Sequence, residues 1–334
     1  MNRCKVLGFG SPILDLLVRV DDAFLAQNVA GEKGGMGMLD AAEQKKLIGA
    51  FPAGQVKKAI GGSAFNTISA LTALGMPTAF LGKIGQDADG EFYRSAYAVA
   101  GGDISRFRIS PDLPTATCVS LVTPDSERTM RTNLGASSTL TADEISEADF
   151  SGISHFHAEG YMLFLPGGVL SQAMKLAKAA GCTVSFDFSS FEVVRIFRNE
   201  IEDLMKKYVD VIFANEDEAR EFCGAEDFDP ESAARTLRGY CSTVAVKLGK
   251  KGALLKSGDE ACRIEPHIVQ AVDTTGAGDL WQAGFLYGWL NGFGLEKAGR
   301  MGAVLGAEIV QVLGAELPPE RWPVIKAQFN QIKG

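Results

Sequence analysis

The chain is predicted to be an α/β protein: a central, mostly parallel sheet with helices on both faces and a small β-sheet lid. Three observations predict this. From about residue 153 onward, short apolar runs alternate with amphipathic stretches: SHFHAEGYM, GGVLSQAMKLAKAAG, TVSFDFS, VVRIFRNEIEDLMKKY and VDVIFAN. Strand, helix, strand at this spacing needs right-handed crossovers, and those make neighbouring strands parallel. Before about residue 135 strand-like runs predominate instead, and they do not fit strict alternation. Finally, 334 residues at 46% hydrophobic can bury roughly three quarters of the unfolded surface, enough to cover both faces of a sheet.

Taken in order, CKVLGFG and ILDLLVRV read as the first strands, and helix patterns follow at 40–50 and 64–75. TAFLGKIG, SRFRIS, TATCVSLVTP and RTMRTNL read as further strands. Segments of about 14–60 and 104–134 are expected to form the lid, within one domain spanning 1–334, since no repeat, low-complexity tract or linker marks a boundary. The glycine-rich GEKGGMGML reads as a mobile loop. STVAVKL (242–248) is a strand that GALLKS and ACRIEPHI extend at the sheet edge, with His267 an ordinary strand residue, and helices at 277–291, 295–313 and 319–332 close the chain.

Charge and punctuation exclude several functions. The net charge is −8 and the basic residues are scattered, so the basic face of a nucleic-acid binder is missing. No signal-peptide pattern opens the chain and no run of 18 residues is both uncharged and strongly apolar, so a cytoplasmic protein without membrane spans is expected. Cys4, Cys118, Cys182, Cys223, Cys241 and Cys262 lie far apart without a CxxC, which suggests buried thiols instead of a disulfide frame or zinc cluster.

The chemistry concentrates in DTTGAGDLWQAGF, residues 273–285. Gly276 and Gly278 let backbone N–H groups point together at the positive end of the following helix, which makes an anion cradle. Asp279 in the first turn is either a carboxylate stabilised by the helix dipole or a base beside a phosphate, placed to accept a hydroxyl proton. A first-turn acid alone does not require GAG and TT before it. GxxxxGK[ST] is absent, and GFGSPI lacks the last glycine of a dinucleotide-binding GxGxxG.

Three other stretches belong with this loop. GFGSPILDLLVRV places Asp15 after a strand and turn, and GGSAFNTISALTALG brings a glycine pair and Asn66 to a helix start; these suit hydroxyl recognition, or a turn aspartate and a helix cap. In FANEDEA, Asn215 and Glu218 end a strand and open a helix, either as a capping box or as part of an acidic cluster around a cation such as Mg²⁺.

Together these stretches resemble the ribokinase-like (PfkB-type) carbohydrate and nucleoside kinases over nearly the whole chain. GGSAFNTISALTALGMPTAFLGKIGQDADGEF is similar to their first signature, DTTGAGDLWQAGF to their second and FANEDEA to their NxxE motif. The resemblance implies an ATP- and Mg²⁺-dependent kinase in which Asp279 deprotonates a primary hydroxyl that attacks the γ-phosphate. The amides of Gly276, Ala277 and Gly278 would form the anion hole, and Asp15, Gly62, Ser63 and Asn66 would contact the acceptor. Asn215 and Glu218 would serve Mg²⁺ through water, while Lys247, Gly249 and Thr275 would border the nucleotide. It also allows a monovalent cation such as K⁺ beside Asp273 and Thr275.

PILDLLVRVDDAFL, DSERTMRTNLGAS and AEGYML are similar to the adenosine kinase branch, in which Arg128 would lie near the lid and phosphate. The expected acceptor is adenosine or a related nucleoside, with Phe164 and Phe191 as pocket aromatics, and the enzyme a monomer or homodimer. The alternatives are a sugar kinase for ribose or fructose, and a non-catalytic nucleotide or sugar sensor; Ser11, where many members have Asn, is a departure. His155, His157 and Glu159 in SHFHAE share a strand face, a spacing that could bind a metal, but no fourth ligand is evident. RNEIEDLMKK reads as a solvated helix face with i,i+4 pairs.

Overall fold

The computed structural model describes residues 5–30, 33–52, 54–125, 127–224 and 227–334. Six short strands, buried along most of their length, run parallel: β1 (Val6–Phe9), β5 (Thr78–Leu81), β10 (His155–Glu159), β11 (Thr183–Asp187), β12 (Val211–Asn215) and β13 (Thr243–Lys247). An antiparallel hairpin, β14 (Ala253–Ser257) and β15 (Glu260–Ile264), extends one edge to give the order β15-β14-β13-β12-β11-β10-β1-β5.

Strand side chains alternate between two cores. Val6, Phe213 and Ala245 point to the side packed by α3 (Ser63–Ala73), α9 (Ala277–Leu290) and α10 (Leu295–Ile309), where Phe213 meets the rings of Trp281 and Phe285 at 6.3 and 5.4 Å. Leu7, Phe9, Ile212 and Val246 point to the other, packed by α5 (Val169–Ala179), α6 (Phe191–Tyr208), α7 (Glu216–Cys223) and α8 (Pro230–Arg238). Each fully buried large side chain contributes about 1.5–3 kcal/mol, so this two-faced burial is what holds the parallel sheet together. This is the α/β architecture that the sequence predicts, a mostly parallel sheet covered by helices on both faces.

A separate five-stranded sheet has the order β3-β9-β8-β2-β4, from β2 (Ile13–Arg19), β3 (Met36–Met38), β4 (Lys57–Gly61), β8 (Ala116–Val122) and β9 (Arg128–Asn133). One of its faces carries Leu14, Leu16, Val18, Val119 and Leu121, buried in one cluster with Leu25 of α1 (Asp22–Asn28) and Leu47 of α2 (Ala41–Gly49). Register sets the opposite face in rows. Ala59, Asp15, Cys118, Thr132 and Met38 form one row, and Lys57, Leu17, Ser120, Met130 and Met36 the next.

Several elements differ from the sequence expectations. TAFLGKIG is divided: β5 joins the main sheet, while β6 (Lys83–Gly85) pairs with β7 (Arg108–Ser110) in a two-stranded sheet, so 104–110 stays out of the five-stranded one. In GEKGGMGML, residues 31 and 32 lie outside the described residues, and Met36–Met38 is an edge strand on β9 instead of a mobile loop. Pro266 lacks an N–H for the ladder and β15 stops at Ile264, leaving His267 exposed outside any strand. α10 ends at Ile309, before the expected 313, and the Val310 carbonyl accepts from Val272 and Asp273 N–H. Helices α4 (Ala88–Val99), capped by Asp87, and α8 were not anticipated; α11 (Arg321–Lys333) was. Among the described residues no helix is long and apolar enough to cross a membrane.

Candidate active site

The site assembles at the carboxyl ends of the parallel strands, where open α/β sheets bind ligands. Gly276 caps α9 in the left-handed region, φ 73°, and a Cβ there would stand 2.8 Å from Ala315 Cβ, so glycine is required twice over. The Ala277 N–H turns back to Thr274 O at 3.2 Å, while those of Gly276 and Gly278 find no protein acceptor among the described residues. Of the three amides expected to form an anion hole, those of Gly276 and Gly278 are left open at the helix's positive end. A Cβ on Gly278 would lie 3.1 Å from Lys247 Nζ, which places that ammonium against the same helix start.

Asp279 is gripped by α3. Ser63 Oγ donates to Oδ1 at 2.9 Å, Asn66 Nδ2 donates to Oδ2 at 2.8 Å and Thr67 Oγ1 donates to the Asp279 carbonyl at 2.9 Å. Ser63 and Asn66, expected to contact the acceptor, each give one donor to this carboxylate. Burial pushes the Asp279 carboxyl up to about 6 against the Asn66 hydrogen bond that lowers it, yet the residue keeps some solvent access.

Asp187, at the end of β11, was missed by the sequence reading. It is 4% exposed and pairs with Lys247 Nζ at 3.2 Å. Burial alone would lower the Lys247 ammonium, but Asp187, Glu218 and Asp279 together hold it above its ordinary value. Its only local signal was an acid at the last position of an apolar strand. Asn215 and Glu218 form a complete capping box: Glu218 N–H donates to Asn215 Oδ1 at 2.9 Å, and both Glu218 oxygens accept from Asn215 at 2.7 Å. Burial, followed by the Asp187 charge, raises the Glu218 carboxyl. Among the described residues no group of three His, Cys, Asp or Glu could cage a metal. Gly249, φ 55°, follows β13 at the same edge.

Asp15 faces the site from β2, and burial raises its carboxyl to about 6. A Cβ at Gly61 would stand 2.5 Å from Asp15 Oδ2; one at Gly62, φ 111°, would stand 2.2 Å from Ser11 O. Glu159 ties these loops together, accepting from Ser11 N–H at 2.9 Å and Ala64 N–H at 2.7 Å. Burial raises its carboxyl to about 7. Glu159 is a clamp under the site, and His155 and His157 bond to Ser185 and Thr183 at 2.8 Å within the sheet. A cavity of about 740 Å³ lies between Asp15, Leu17 and Lys57 and the segment 313–319.

Arg128, on β9, reaches the α9 loop. Its Nη1 donates to Asp273 Oδ2 at 2.8 Å and to Thr275 Oγ1, and its Nη2 to Ser120 Oγ at 3.0 Å. Phe164 and Phe191, expected as pocket aromatics, follow β10 and β11 on the carboxyl side and are 53% and 38% exposed; Phe164 packs on Phe197, Arg195 lies over Phe191, and neither lines the cavity beside Asp15.

A glycine-capped helix start with a carboxylate in its first turn, at the carboxyl edge of a parallel sheet, is an arrangement suited to phosphoryl transfer. Residues 38–322 match the profile of the pfkB family carbohydrate kinases, and the chain belongs to that family. It is a kinase, transferring a phosphoryl group to a hydroxyl acceptor, and membership implies ATP use and usually Mg²⁺. Over 98% of this chain and 100% of the other it resembles the crystal structure of adenosine kinase from Sinorhizobium meliloti, at 31% identity and TM-score 0.85. It is also 26% identical to adenosine kinase of Saccharomyces cerevisiae over 337 residues, 93% of this chain and 96% of that one. Ribokinase of Haemophilus influenzae is 27% identical over 262 residues, 77% of this chain and 83% of the relative.

Proposed function

We propose that the protein phosphorylates the 5′-hydroxyl of adenosine or a related nucleoside, with Asp279 as base. The observation that carries the reading is the Asp279 carboxylate, oriented by Ser63 and Asn66 and set beside the Gly276 and Gly278 amides. The acceptor hydroxyl gives its proton to Asp279, its oxygen bonds the transferred phosphorus, and the bond from that phosphorus to the ADP oxygen breaks. The two amides and Lys247 oppose the negative charge on the transferred group, and Arg128 holds the loop that presents those amides. Bound Mg²⁺ would neutralise phosphate charge. Asp187 and Glu218 already hold Lys247 and Asn215, which fits contact with such an ion through water.

The small sheet supports a nucleoside over a free sugar. Asp15 can take ribose hydroxyls, and the row from Asp15 through Cys118 and Thr132 ends at Met38, three strands and about 14 Å away. Met36 and Met38 are 61% and 59% exposed on this site-facing surface, a thioether platform for a flat base. The five-stranded sheet with its helices, at about 14–60 and 116–134, is proposed as the lid of a single domain.

ADP release measured across adenosine, inosine, guanosine, cytidine, ribose and fructose tests this. A nucleoside is expected to give the highest kcat/KM. A preference for ribose or fructose would replace the nucleoside by a sugar, and no turnover by a folded protein would leave a sensor.

A further inference from the structure

The resemblance that identifies the α9 loop also allows a monovalent cation beside Asp273 and Thr275, and the residues present do not fit one. A cation at these side chains needs oxygen lone pairs and negative charge left over. Asp273 Oδ1 accepts from Thr275 N–H at 2.9 Å and Thr275 Oγ1 at 2.7 Å. Asp273 Oδ2 accepts from Gly314 N–H at 2.8 Å and Arg128 Nη1 at 2.8 Å. Two acceptances on each oxygen complete the carboxylate. The Thr275 hydroxyl donates to Asp273 and accepts from Arg128, so its proton and a lone pair are engaged too. The charge is likewise balanced: the Arg128 and Asp273 side chains are 9% and 6% exposed, an ion pair almost out of water.

We propose that Arg128 is the protein's built-in cation at this loop, holding Asp273 where an exchangeable monovalent ion would otherwise be needed, so that the kinase works without K⁺ or Na⁺. Arg128 acts here as a positioning residue. Asp273 and Thr275 immediately precede the Gly276 cap, and Gly314 leads into the segment facing Asp15 across the cavity. Fixing these with a residue of β9 also ties the small sheet to the anion loop. Removing the guanidinium would leave a buried carboxylate without its partner, a costly state that an ion from solution could relieve.

The test compares KCl with tetramethylammonium chloride at equal ionic strength, reading thermal melting and ADP release with the preferred acceptor. The wild-type protein is expected to show the same melting temperature and kcat/KM in both salts. Arg128→Gln is expected to melt lower in tetramethylammonium and to recover melting temperature, with part of its turnover, as KCl is added. Several-fold activation or clear stabilisation of the wild type by K⁺ would overturn the proposal, as would an Arg128→Gln protein indifferent to K⁺. If Arg128→Gln does not fold, the wild-type comparison still decides, and Arg128→Lys, which keeps a point charge, should fold and remain K⁺-independent. The inference rests on the kinase reading only for its turnover arm. Melting needs no acceptor, so failure to find a substrate and failure of the built-in cation give different results.

Discussion

Asn66 donates its side-chain amide to Asp279 Oδ2 at 2.8 Å while Ser63 occupies Oδ1, so residues at the start of α3 set the orientation of a carboxylate at the start of α9. Both helices belong to the same core, and 213 residues of sequence separate Asn66 from Asp279. The two donors take away the carboxylate's rotational freedom and lower its basicity, while burial raises it, so that the group stays basic in a fixed orientation, the state a general base requires.

Asp279→Asn keeps the shape and can still accept from Asn66, but it cannot take a proton. Loss of a general base lowers kcat by about 10²–10⁴-fold, while ATP binding and melting temperature should stay near those of the parent. Steady-state kinetics with a separate nucleotide-binding titration check this, and near-normal turnover would remove Asp279 from the role.

The same carboxyl fixes a pH profile. Burial places it at about 6, and a base works only when ionised, so kcat/KM should fall as pH drops below about 6 and level off above it. The Asn66 hydrogen bond stabilises the charged form. Asn66→Ala should therefore move the break upward, toward neutrality. A break that stays put or moves down would show that another group limits the profile.

Much of the fold was readable because it is written locally. Alternation of strand and helix, the glycines at 276 and 278, and the NxxE spacing are short-range patterns tied to one element or turn. Asp187 and Glu159 were not readable as site residues, because their roles depend on which strands lie side by side: TVSFDFS says nothing of Lys247, two strands away. Glu159 stood out only beside two histidines, as a conceivable ligand, while its real partners are backbone amides of two distant loops. In FANEDEA the local capping pattern and the acidic edge coexist, since Glu218 caps α7 and also lies within the field of Lys247 and Asp187.

Glu159→Ala would strip the acceptor from the Ser11 and Ala64 amides at once. Unmet buried donors cost about 1–3 kcal/mol each, so a loss of about 2–4 kcal/mol is expected with Ser11 only half-buried. Because those amides border Gly62 and Asp15, acceptor KM should rise as well. Denaturation and kinetics together check it; an unchanged melting temperature would mean that the clamp carries no load.

Acid stability turns on the buried histidines. Burial drives His155 down to about 3 and His157 to about 4. The unfolded chain therefore takes up protons first, and the stability from neutral imidazoles, complete above about 6.5, is lost as pH falls toward 4. Glu159, raised to about 7, acts in the opposite direction, so only a difference between variants isolates the histidines. His155→Gln can still hydrogen-bond Thr183 and Ser185 but cannot be charged. It should lose less melting temperature than the parent between pH 7.5 and 5, and an equal loss would contradict the assignment.

The acceptor preference has its own test in Met36 and Met38. Both lie on an edge strand, largely exposed, so replacing them leaves the cores untouched. Thioethers that lie against a base contribute binding without chemistry, in the ground state and transition state alike, and their loss should raise KM at constant kcat. Removing both as Met36→Ser with Met38→Ser takes away apolar contact that only partly covers the ligand, about 1.4 kcal/mol in all, which is about tenfold in KM for the nucleoside. Asp15→Asn, by contrast, should weaken any acceptor that presents vicinal hydroxyls, free ribose included. Nucleoside KM rising in the double variant while ribose KM stays put would locate the base on this platform; nucleoside KM unchanged would separate the methionines from substrate and return the acceptor question to the sugars.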